Sequence, residues 1–228
     1  MNVFSFCMPK IHLESSSIPE QQWLSTKKTI PYDYYEKHMI KHPFRSQFIS
    51  RHHLLYAGLL EADSSITSYV PRPFKMRFKS TLYFPDFYIA SGHKRYIIDL
   101  IKASDHQNDQ TIADYKTRGS FFKAQGLHYK NKSLESILSE QTRAENWLDI
   151  CQRLYLGRHI DTANEQKDIL TLFETHLNLL VIDVIDSTNR ETAYLRELAL
   201  LRCIQKGILK IELDHNKWGA KSEVVYRC

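Results

Sequence analysis

Glycine and proline are scarce in this chain, seven of each in 228 residues, and no internal repeat or low-complexity stretch is visible. Those shortages exclude a collagenous, linker-like or disordered polypeptide. With 43% hydrophobic and 12% aromatic residues, the chain has the means to bury a core as one domain or two small ones. Cysteine is sparse as well. Cys7, Cys151, Cys203 and Cys228 lie far apart, and no pair has the close spacing of a zinc knuckle or a redox motif. A reduced, cytoplasmic chain is expected. Long apolar runs are missing too: the opening "MNVFSFCMPK" lacks the regions of a signal peptide, and "HLNLLVIDVID" is too short to span a bilayer. No membrane partner is expected.

What the chain does have is surplus positive charge, formally +5. That suits a polyanion partner without requiring one. The organisation reads as an N-terminal arm with short elements over residues 1–45, an α/β unit over 46–160 and a smaller α+β unit over 161–228. Ser50 stands as an N-cap before "RHHLLYAGLLEAD", whose Leu54, Leu55, Gly58 and Leu59 recur at helical spacing. Pro71 and Pro73 bracket Arg72 and break any helix. "FKMRFKSTLYFPDFYIA" and "YIIDLIK" then read as strands on either side of a "GHKR" turn, with the second run central to its sheet. "ASDHQNDQ" is expected as a loop and "TIADYKTRGSFFKAQG" as a helix ended by Gly126. Further helices follow, one stopped at Gly207, and then two strands around "HNKWGAK". Helices followed by a hairpin outline a winged-helix module; a small extension packed on the first unit fits equally well. Trp218 in that turn is either an exposed contact or an anchor to the core.

The candidate chemistry lies in "YFPDFYIASGHKRYIIDLIKA". Nucleases of the restriction-enzyme type cluster acidic side chains around Mg²⁺, which activates water and stabilises charge on phosphorus, and a lysine assists. Asp86 sits at a strand entrance after Pro85 (a turn or cap aspartate is the plain alternative). Asp99 lies inside an apolar run, where a carboxylate is costly unless a metal or a partner neutralises it. Lys102 is three residues beyond Asp99, so in a regular strand it faces the other way, and a bulge would be needed to bring the two together.

In order and spacing, "SRHHLLYAGLLEADSSITSYVPRPFKMRF", "YFPDFYI" and "YIIDLIK" resemble the TnsA family, the endonuclease subunit of heteromeric transposases. "YLRELALLRCIQKGILKIEL" is similar to part of that family's second domain, and the likeness covers roughly residues 40 to 220. The resemblance implies a restriction-endonuclease-like mixed sheet flanked by helices, followed by a winged-helix-like domain. It implies double-stranded DNA at transposon ends, a DDE transposase and an ATP-dependent transposition regulator as partners. Ser50 falls on the family's serine and Asp86 on its metal-binding aspartate. His53 falls where the family has its catalytic glutamate, Asp99 on its Glu or Gln, and Ile101 on its lysine. The candidate catalytic residues of an active enzyme are Asp86, Asp99 and, given a bulge, Lys102, with His53, Asp86 and Asp99 as candidate ligands for Mg²⁺ or Mn²⁺; a degenerate site needs no cofactor. His53 is equally a polar residue of a first helical turn, and Glu61 is a distant stand-in acid.

Two functions follow from the likeness: a DNA-binding scaffold that has lost its nicking activity, or a working Mg²⁺- or Mn²⁺-dependent endonuclease. A small interaction protein unrelated to DNA is the alternative of another class. Candidate phosphate contacts are Arg72, Lys75, Arg77 and Lys79 before the site, Lys94 and Arg95 in the turn, and Lys116 and Arg118 on the helix. Each is equally a solvated surface charge.

Overall fold

The computed structural model describes residues 4–5, 18–23, 33–78, 81–185 and 189–226. The architecture is mixed α/β. Its centre is a four-stranded sheet in the order β4 (Ser68–Pro71), β7 (Phe87–Ser91), β8 (Lys94–Ile101), β9 (His128–Ser133). The first three strands are antiparallel, while β9 runs parallel to β8 after a crossover through α2 (Asp109–Ala124). A small hairpin of β5 (Met76–Phe78) and β6 (Thr81–Tyr83) joins β1 (Phe4–Ser5) in a second sheet. β2 (Tyr35–His38) pairs with β3 (Arg45–Phe48), so this hairpin crosses residue 45.

The alternation of β8 explains both faces of the central sheet. Ile98 and Leu100 pack with Tyr69, Phe87 and Ile89 beneath α1 (Arg51–Ala62), and Ile97 packs on the opposite side with Val70, Tyr88 and Phe122 of α2. Helix α1 is buried from Leu54 through Glu61 because the sheet lies on one side and α4 (Gln141–Leu156) on another. Gly58 permits that approach: a Cβ built there would stand 2.5 Å from the Ala144 carbonyl oxygen.

A third core joins Trp147, Ile150 and Leu154 of α4 to α5 (Ala163–Thr175), α7 (Arg190–Gln205) and the C-terminal sheet. Helix α4 thus serves two cores, with Ala144 packed under α1 and its later residues facing the tail. The tail sheet has the order β10 (Asn178–Leu180), β12 (Glu223–Tyr226), β11 (Leu209–Ile211). The expected pair of tail strands is present and gains β10 as a third, followed by the four-residue α6 (Val181–Val184). Helix α3 (Leu134–Ser139) separates β9 from α4, and in the loop expected at 103–110 residues 103–107 form a turn of 3-10 helix and α2 already begins at Asp109. Gly126 and Gly207 end α2 and α7 with φ of 75° and 72°, a left-handed conformation that glycine adopts without steric cost. Trp218 is an anchor: its Nε1–H donates to Asp149 Oδ2 at 3.1 Å, its amide donates to Asn146 Oδ1, and Arg153 lies over its ring. No described helix is long and apolar enough to cross a membrane.

Candidate functional site

Asp86 stands immediately before β7, at the end of the sheet where the N-terminus of α1 arrives. Its amide donates to the Ile98 carbonyl at 3.0 Å, and its own carbonyl accepts the Arg72 amide at 2.8 Å, so the backbone is fixed from both sides. The side chain is fixed as well. Oδ2 accepts the Leu100 amide at 2.6 Å, and Oδ1 lies 2.8 Å from His53 Nε2. On the far side of the ring, Nδ1 is 2.7 Å from Ser50 Oγ. A carboxylate only accepts hydrogen bonds, so the arrangement selects one pattern: Nε2–H donates to Asp86, and Nδ1 accepts from the Ser50 hydroxyl. Ser50 is the N-cap of α1 as expected, its Oγ also accepting the His53 amide at 3.4 Å.

Asp99 belongs to a different cluster. It is 4% exposed and accepts four hydrogen bonds. Tyr83 OH reaches both oxygens at 2.6 and 2.8 Å, Tyr129 OH reaches Oδ2 at 2.6 Å, and Arg118 Nη1 reaches Oδ2 at 2.9 Å. Burial raises the Asp99 pKa and proximity to Asp86 adds to it, while the tyrosine hydroxyls and Arg118 pull the other way. Burial also works against the Arg118 charge, but Asp99 outweighs it and Arg118 is held above its ordinary range. The cost of an aspartate in an apolar strand is met here by two tyrosines and an arginine.

Of the residues expected around one metal, His53 is bonded to Asp86, while Asp99, close enough to Asp86 for their charges to interact, is bonded to Tyr83, Tyr129 and Arg118. Ile98 and Leu100 lie on the α1 side of β8, whereas Asp99 turns toward α2. On the side where His53 meets Asp86, the position two residues before Lys102 is therefore Leu100, not Asp99. Lys102 follows β8 with extended backbone, φ −78° and ψ 149°, and is exposed. Alternation gives it the side of Leu100 without a bulge. Mg²⁺ and Mn²⁺ prefer open oxygen ligands. Asp86 accepts from His53 and the Leu100 amide, and Asp99 from Tyr83, Tyr129 and Arg118, so a divalent ion held here would share both carboxylates with protein donors. Among the described residues no group of three or more His, Cys, Asp and Glu is gathered for a metal.

The candidate phosphate contacts divide in the same manner. Lys75, Arg77, Lys94 and Lys116 are exposed, and Lys79 lies outside the described residues. Arg95 folds back onto the turn, its Nη1 donating to the Gly92 and Lys94 carbonyls at 2.6 and 3.0 Å. Arg118 is committed to Asp99 and stacks over Tyr83 at 4.2 Å. Arg72 is 8% exposed, lies over the Phe84 ring at 4.4 Å, and adopts a left-handed φ of 47° that costs a non-glycine residue about 1 kcal/mol or more. Its burial opposes its charge and Asp86 supports it. Glu61, the distant stand-in acid, is buried away from the site, where it accepts from the Ile40 and Lys41 amides and from Tyr69 OH. The residues that sequence reasoning missed are Tyr83 and Tyr129, whose only signal was the isolated aspartate that needed partners. Compared with known proteins, the chain matches no protein-family model and no curated protein.

Proposed function

We propose that this chain is a DNA-binding, TnsA-like subunit of a transposition complex, catalytically weak or inactive, that acts as a scaffold beside a DDE transposase and an ATP-dependent regulator. On this reading the sheet β4–β7–β8–β9 with α1 and α2 is the restriction-endonuclease-like core, and α5 to β12 is the winged-helix-like unit. The observation that carries it is the 2.8 Å contact between His53 Nε2 and Asp86 Oδ1. It places an imidazole proton donor on the aspartate at the position where the resembled family has a second acid. Exposed Lys75, Arg77, Lys94 and Lys116 supply positive charge for the phosphate backbone.

The test is nicking of supercoiled plasmid in Mg²⁺ and in Mn²⁺, alone and with the partner transposase, beside Asp86→Ala. The expected result is no nicking in any mixture, together with DNA retention that falls steeply with salt. Nicking that disappears in Asp86→Ala overturns the scaffold reading. A working metal-dependent endonuclease is the second reading, favoured by the exposed Lys102 on the His53 side of β8. Salt-independent retention, or none, sinks both and favours an interaction protein of another kind.

A further inference from the structure

Three side chains at the start of α1 form a continuous hydrogen-bonded series: Ser50 Oγ to His53 Nδ1 at 2.7 Å, His53 Nε2 to Asp86 Oδ1 at 2.8 Å, and Asp86 Oδ2 to the Leu100 amide at 2.6 Å. A hydroxyl, an imidazole and a carboxylate in that order constitute an activated nucleophile, with the base in reach of the hydroxyl proton and oriented by a third group. We infer that Ser50 is a nucleophile and that this corner hydrolyses activated esters, acyl or phosphoryl, without a metal.

Each member has the surroundings the role requires. The His53 ring is held on both nitrogens and stacks against Phe87, with centroids 6.0 Å apart, so its orientation does not depend on substrate. Its side chain is 12% exposed and that of Asp86 20%, which shields the relay from bulk water without sealing it. Ser50 is half-buried rather than in a core. The amides of Arg51 and His52 open the helix without intrahelical acceptors, and the first turn carries no acidic side chain. Negative charge growing on a substrate oxygen near Ser50 is met by these amide donors, while a carboxylate facing the first turn from α4, Glu145, is bonded to the Arg51 guanidinium at 2.9 Å.

In the first step the Ser50 Oγ lone pair attacks the carbonyl carbon or the phosphorus, and the hydroxyl proton passes to His53 Nδ1. The bond to the leaving oxygen breaks, that oxygen keeps the electron pair, and it takes the proton from Nδ1. Water then repeats the sequence with the same base, releasing the acid and restoring Ser50. Asp86 stays ionised and keeps the Nε2–H in place, which makes it a positioning residue.

The experiment is labelling of the full chain by a fluorophosphonate, in which Ser50 Oγ displaces fluoride, read by intact mass and by mapping of the modified peptide. One adduct per chain on Ser50 is expected. Ser50→Asn preserves the helix cap and removes the hydroxyl, so it folds and takes no label. His53→Ala slows labelling by about 100-fold or more, the contribution of a general base. Asp86→Asn, which keeps shape and favours the wrong tautomer, slows labelling while its far-ultraviolet circular dichroism stays unchanged. An unlabelled chain, an adduct on another residue, or labelling indifferent to His53→Ala overturns the inference. A second arm compares p-nitrophenyl acetate with bis(p-nitrophenyl) phosphate. Turnover of one identifies the ester class, and turnover of neither overturns the hydrolytic step. None of these readings involves DNA, so failure here and failure of the scaffold reading are separate results.

Discussion

Two aspartates thirteen residues apart, Asp86 and Asp99, are neutralised in opposite ways. Asp99 is enclosed by Tyr83, Tyr129 and Arg118, drawn from a hairpin, a strand and a helix, and its carboxylate is part of what holds those three elements on one sheet face. Asp86 sits at the sheet end with one backbone amide and one imidazole as partners. The first arrangement fills the acceptor sites of the carboxylate with donors from three elements, although it leaves the buried Arg118 Nε without a partner. The second keeps an imidazole partner and, with the Asp86 side chain 20% exposed, a path to solvent. A carboxylate within an apolar strand is thus a weaker sign of chemistry than one at a strand entrance, since the former must be satisfied for the chain to fold at all.

That contrast is exposed most sharply by removing Asp99. Asp99→Ala leaves the Arg118 guanidinium and two tyrosine hydroxyls without their acceptor, and a loss of about 4 kcal/mol is expected in urea unfolding. A loss below about 1 kcal/mol would erase the distinction between the two aspartates. The next effect concerns His42, which is 1% exposed and whose pKa burial lowers from 6.5 to about 4. The unfolded chain binds this proton more readily than the folded one, so stability is complete above pH 6.5 and falls as pH drops toward 4. About 3 kcal/mol is expected to disappear across that window in pH-dependent unfolding, and His42→Gln flattens the profile. Gly58→Ala follows, at about 2 kcal/mol, because the added methyl meets the Ala144 backbone oxygen at 2.5 Å as well as Leu148 Cγ at 3.1 Å. Smallest is Asp86→Ala: about 1 kcal/mol for the Leu100 amide and the part-exposed His53 Nε2–H that lose their acceptor, measured in the same urea titration. A large stability loss there would make Asp86 another structural carboxylate and would blunt the contrast with Asp99.

Much of this was legible in the sequence. Ser50 as a cap, the buried face of α1, Asp86 at a strand entrance and the glycine stops of α2 and α7 all follow from local spacing and backbone preference. The partners of Asp99 do not, because they lie 16, 19 and 30 residues away and converge only once β9 pairs with β8. Arg118 and Arg72, candidate phosphate contacts in the sequence, turn inward for the same reason: a long-range aspartate and a ring beneath the guanidinium leave no local trace. The opposition of Lys102 and Asp99 was plain from alternation, but which of them shared a side with His53 depended on how α1 lies across the sheet.

Helix α4 turns Ala144 to one core and Trp147, Ile150 and Leu154 to another, with Asn146 bonded to the carbonyls of Leu213 and Asn216 between them. Such a shared wall ties the melting of the tail to that of the central sheet. Heat or denaturant that loosens α7 withdraws support from α4, and through Gly58 from α1 and the corner where Ser50, His53 and Asp86 meet. Cooperativity is thereby carried by one helix, and a perturbation bound at the tail has a mechanical route of a few packed side chains to the sheet end.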